Sequence, residues 1–176
     1  MKRVASMQKA KRLFIAALFG SIIFVTKVFV PSPIDKLLIV VQAVLLALAA
    51  LFIKKAGATY VGVVGGVLTA LGRPALGPFT FFFAFLYGVF VDVFFLLFKV
   101  NPTTDVVNRN RIMIAMTFST AIIGFLSYYT TTILIEILPI DPMLAALILF
   151  MGTVSGAVAG YAASYLWNKY LKSIST

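Results

Sequence analysis

From residue 79 to residue 98 the chain reads FTFFFAFLYGVFVDVFFLLF, twenty residues that carry a single charge, Asp92. That length matches the roughly 20 residues an α-helix needs to cross the ~30 Å hydrocarbon core of a bilayer. Runs of the same kind recur from one end of the sequence to the other, and they decide the fold class. In hydrocarbon every backbone N–H and C=O has to be satisfied within the span, so such a chain is expected to be all-α, a single polytopic membrane domain. The charge content agrees: 11% of the residues are Asp, Glu, Lys or Arg, against about 25% in a soluble domain.

Six segments are read as spans, at about 13–30, 37–53, 58–72, 79–98, 112–138 and 143–167. The first follows a basic stretch but ends in VPSP without a small-residue cleavage site, so it is expected to be retained. The third is short, covering about 22 Å at 1.5 Å per residue, and charge decides its status. With six spans, Lys2, Arg3, Lys9, Lys11, Arg12, Lys54, Lys55, Lys99, Arg109, Arg111, Lys169 and Lys172 share one face, and Lys27, Lys36 and Arg73 the other. Omitting the third span would move Lys99, Arg109, Arg111 and the C-terminal lysines outside. The positive-inside rule therefore predicts six spans with both termini cytoplasmic. It also assigns the net charge of +10 to a lipid bilayer rather than to nucleic acid.

Cysteine and histidine are both absent. That removes thiol chemistry, most zinc and haem sites and the commonest general base. The five acidic residues are scattered, and neither a nucleophile elbow nor a phosphate-binding glycine loop is present. No enzyme, cofactor or metal site is expected.

Small residues every four positions let helix backbones approach closely. The sixth span carries Gly152, Gly156, Gly160 and Ser164 at that spacing, the first Ala16 and Gly20 beside Ala17 and Ser21, and the third Gly62 and Gly66. The long strip in the sixth span suits tight packing inside the monomer, or else a seam with a partner. The fifth span aligns Thr120, Gly124, Tyr128, Thr132 and Glu136 at successive i+4 positions, with Thr117, Ser127 and Thr131 alongside. Hydroxyls on one side of a helix belong in the bundle interior, as hydrogen-bonding glue or as a site. Glu136, an intramembrane carboxylate near the outer end, points toward a site.

Arg73 lies in LGRPALGPF, a turn rich in glycine and proline at the outer face. An outer arginine runs against the positive-inside bias, so it is either a ligand-binding group or an interfacial anchor paired with Glu136, Asp35 or Asp141. Asp92 lies about 20 Å down its helix from residue 79, toward the cytoplasm. Lys99 is near enough in sequence to pair with it. At that depth a conformational or partner-contact role is expected for Asp92 rather than ligand recognition.

Size, six spans and inward termini resemble an S component, the substrate-binding membrane subunit of energy-coupling factor (ECF) vitamin transporters. Two fragments carry the resemblance. Ala16-x-x-x-Gly20 is similar to the small-residue motif by which S components contact the transmembrane coupling subunit. Gly77-Pro78 followed by Gly88 and Asp92 is similar to a G-P…G…D run found in several of them. The resemblance implies a plasma-membrane protein with an outer binding site among the later helices. Arg73, Phe79, Tyr128, Thr132 and Glu136 meet that description, with VPSPIDK (30–36) as a lid. It also implies a coupling subunit and two ATPase subunits as partners. Glu136 would suit a cationic ring such as thiamine, with Tyr128 or Phe79 stacking on it; Arg73 would suit a carboxylate such as biotin or pantothenate. The rival classes are a stand-alone channel or secondary transporter with Asp92 as an ion or proton relay, and an assembly subunit with no ligand.

Overall fold

The computed structural model describes residues 2–30, 38–53, 56–74, 77–100, 106–134 and 140–172. Every regular element among them is helical: α1 (Lys2–Val28), α2 (Ile39–Ile53), α3 (Gly57–Gly72), α4 (Gly77–Leu97), α5 (Arg109–Tyr129) and α6 (Pro142–Leu166). α5 and α6 each run on into a π-helical turn, Thr130–Leu134 and Trp167–Leu171. α4 and the two extended helices are long and apolar enough to cross a membrane, while α2 and α3 are shorter apolar helices. The chain is an all-α membrane protein. One boundary differs from the sequence expectation: α1 begins eleven residues before the apolar run starts at Leu13. Lys, Arg and Ala are good helix formers and no Gly or Pro interrupts the basic stretch, so it continues the helix.

α2, IVVQAVLLALAALFI, is apolar on every side except at Gln42. A helix of that kind is stable only when surrounded, and α2 is the centre of the bundle, in contact with all five other helices. Nine of its fifteen residues are buried. On the other helices large apolar side chains point outward, among them Phe82, Leu96, Leu97 and Phe150, as they do when lipid is the solvent.

Glycine sets the tightest approaches. A Cβ on Gly62 would lie 2.5 Å from the Ala84 carbonyl oxygen, and one on Gly88 would lie 2.5 Å from that of Ala58. α3 and α4 therefore pack antiparallel, backbone on backbone. The strip in α6 works the same way: a Cβ on Gly156 would sit 2.6 Å from Met116 O, and one on Gly160 2.6 Å from Met113 Cα. That strip is closed against α5 within the chain. Gly20 likewise faces α3, where a Cβ would lie 2.7 Å from Val64 Cγ1.

These contacts, with Phe52 against Trp167 at 5.0 Å, run α1, α3 and α5 one way and α2, α4 and α6 the other. The end at which α1, α3 and α5 begin, called inner from the positive-inside expectation, is clamped by aromatic and amide contacts. Asn168 closes a two-way amide pair with Val107, accepting from its N–H at 2.9 Å and donating to its carbonyl at 3.1 Å. At the opposite end the α5–α6 turn is tied by Tyr128, whose hydroxyl donates to Asp141 O at 2.9 Å and accepts from Asp141 N at 3.1 Å.

Candidate functional site: a polar cavity at one end of the bundle

α3 starts at Gly57 after Ala56, which is held at φ 54° and supplies no side-chain cap. Its first N–H groups would be orphaned. Asp92 on α4 reaches across to them: Oδ1 accepts from Ala58 N at 3.1 Å, and Oδ2 accepts from Thr59 N at 2.7 Å and Thr59 Oγ1 at 2.6 Å. The aspartate is an N-cap delivered from a neighbouring helix. The expected pairing with Lys99 is replaced by this contact. Lys99 instead sits just past α4 at φ 50°, with Val100 N bonded to Phe95 O at 2.9 Å and Lys99 N to Leu96 O at 3.1 Å. That is a Schellman ending with lysine where glycine is usual.

At the other end of the bundle, a cavity of about 650 Å³ opens between the end of α1, the start of α2, the end of α3, the start of α4, the middle of α5 and the first half of α6. Its volume falls within the roughly 300–1,000 Å³ of small-molecule sites. Leu38, Ile39, Leu144, Leu147, Ile148 and Met151 supply apolar wall, and Thr26, Lys27, Gln42, Thr69, Arg73, Thr80, Thr120 and Ser155 the polar groups.

Several of those polar groups are already engaged. Thr26 donates to Ile23 O, Thr69 to Gly65 O and Thr120 to Met116 O. Because the Thr120 proton is committed, the buried Tyr87 hydroxyl donates to Thr120 Oγ1 across 2.9 Å, tying α4 to α5 beneath the cavity. Gln42 and Ser155 differ. They line the cavity at 6% and 7% exposed, and neither side chain makes a hydrogen bond within the described residues; the fully buried side-chain atom left without a partner among those residues is Thr132 Oγ1, outside this pair. The polar atoms of Gln42 and Ser155 are open to the cavity, where water or a ligand can meet them. The Arg73 guanidinium, at the C-terminal end of α3, likewise has no ion-pair partner among the described residues.

The candidate residues separate on this geometry. Arg73 lines the cavity, together with Thr120 and Gly124 from the fifth-span stripe. Phe79 is 41% exposed and is not part of the lining. Tyr128 is occupied at the α5–α6 turn. Thr132 is buried in the π turn with its Oγ1 unsatisfied, and it does not line the cavity. Glu136, Asp35 and residues 31–36 of the expected lid lie outside the described residues. Ala16 and Gly20, expected at a coupling subunit, are buried against the rest of the chain, Gly20 directly on α3. Gly152 lines the cavity floor as well as packing on α5; Gly156 and Gly160 pack on α5.

Neither Gln42 nor Ser155 stands out in the sequence, though each carries a signal. Gln42 is the one strongly polar residue of an otherwise apolar helix, and Ser155 stands three residues after Gly152 on the same face. The chain matches no protein-family model, and no curated protein or solved structure is significantly similar to it.

Proposed function

We propose that the chain is the substrate-binding membrane subunit of an ECF-type importer, capturing a vitamin or vitamin precursor at the outer face of the plasma membrane. The observation that carries this reading is the cavity itself. It is of small-molecule size, lies at the end of the bundle poor in lysine and arginine, and is lined by Gln42 and Ser155, whose side chains make no hydrogen bond within the described residues. Its position between the ends of α1 to α4 and the outer half of α6 is the position a capture site needs. The rival relay reading loses its main residue, since both Asp92 oxygens are engaged at the inner end of α3 and Asp92 does not line the cavity. The docking surface is the part of the reading that changes. If α1 meets a coupling subunit, it does so through a face other than that of Ala16 and Gly20.

The reading is tested by purifying the chain from native membranes and identifying both bound proteins and bound small molecules by mass spectrometry. A transmembrane subunit, two ATPase subunits and a small molecule are expected, with uptake abolished by ATPase inactivation. Uptake by the chain alone, driven by an ion gradient, would overturn it.

A further inference from the structure

The polar groups of the cavity are distributed unevenly between its mouth and its floor. Phe52 and Trp167 pack together near the inner ends of two parallel helices, α2 and α6. Counting outward from them, Gln42 lies about 15 Å and Ser155 about 18 Å along the helix axes, so both stand at nearly one depth, with Thr120 beside them. This is the floor. Toward the mouth, α6 lines the cavity as far as Leu144, about 16 Å above Ser155. Arg73 and Lys27 lie at the outer ends of α3 and α1, and no acidic residue is among the described lining residues. On α6 the stretch between is walled by Leu147, Ile148 and Met151, and Thr26 and Thr69, whose hydroxyls donate to their own helices, line the cavity from α1 and α3.

We infer that the ligand is an elongated small molecule with an anionic end, a carboxylate held by Arg73 at the mouth, an apolar middle, and a neutral amide- or ureide-like end held by Gln42 and Ser155 at the floor. The chemistry follows from the donors and acceptors. A guanidinium binds a carboxylate through two parallel charge-assisted bonds. A glutamine amide has a donor and an acceptor side, so it pairs best with a group that has both, and Ser155 adds a hydroxyl that works either way. This assignment rests on the cavity being the substrate site, and it narrows the two ligand chemistries left open by sequence to one.

The test uses three probes of matched length: suberic acid monoamide, its methyl ester, and the analogue in which trimethylammonium replaces the carboxylate. Binding to the purified protein in lipid nanodiscs is measured by calorimetry. The monoamide is expected to bind at least about tenfold more tightly than the ester, the scale of one charge-assisted pair, and the ammonium analogue not at all. Arg73→Gln should erase the acid–ester difference, and Arg73→Lys should retain part of it. Gln42→Leu and Ser155→Ala should weaken acid and ester alike, with melting temperatures confirming that each variant folds. If the ester or the ammonium probe binds as well as the acid while Gln42→Leu still weakens it, the anionic assignment is overturned and the cavity reading stands. If binding ignores Gln42 and Ser155, or no probe binds at millimolar concentration, both are overturned.

Discussion

At the scale of single residues, the carboxylate inside a phenylalanine-rich helix is explained by the end of another helix. Asp92 replaces a cap that Ala56 cannot give, so Asp92→Asn should lower stability by about 1–2 kcal/mol. An amide can still accept from one N–H but cannot accept from Ala58 N, Thr59 N and Thr59 Oγ1 through two oxygens. Ligand affinity should be nearly unchanged, because the cavity lies at the opposite end of the bundle. Thermal melting and binding on the same preparation check this, and a loss of affinity that follows pH would favour a relay instead. Glycine offers a second contrast. Gly88→Ala should cost about 1–3 kcal/mol, since its Cβ would collide with Ala58 O and Thr59 Cα. Gly124→Ala should be tolerated, its nearest neighbour being Ile148 Cγ2 at 3.7 Å; melting curves of the two variants give the comparison.

Helices and their ends were legible in sequence to different degrees. The six apolar runs gave the six helices because spanning length and apolarity are properties of a segment alone. What each polar residue touches is a property of two segments, and there the sequence under-determines the answer. Asp92 has a plausible local partner in Lys99, seven residues on, yet its real partners are more than thirty residues away in α3. Ala16 and Gly20 read equally well as an external or an internal contact, and only the position of Val64 and Gly65 decides. Arg73 was legible because it violates a charge rule; Gln42 and Ser155 violate none that strongly. Lys99 yields an element-scale prediction of its own. It holds the left-handed C′ position after α4, where a side chain costs about 1 kcal/mol relative to glycine. Lys99→Gly should therefore raise the melting temperature, even though it removes a charge from the inner face; an unchanged or lower value would show that the lysine side chain contributes more than its backbone costs.

For the whole molecule, an importing role requires that the cavity end of the bundle faces out. The sequence contains no cysteine, so single introduced thiols report sidedness cleanly. Ile140→Cys, at the exposed α5–α6 turn, should react with a membrane-impermeant maleimide in intact cells. Asn110→Cys, exposed in the first turn of α5, should react only after permeabilisation. The reverse pattern would turn the cavity toward the cytoplasm and remove the importer reading. Whether the cavity holds the substrate is decided by filling it. Gly124 lines the cavity and has room for a side chain, so Gly124→Phe should occupy the binding space while the helices stay packed. Wild type and variant, purified from native membranes, would be compared by mass spectrometry of bound small molecules, with melting temperature as the control for folding. A small molecule is expected on the wild type and missing from an equally folded variant. The same molecule retained by both, or lipid alone in both, would contradict it.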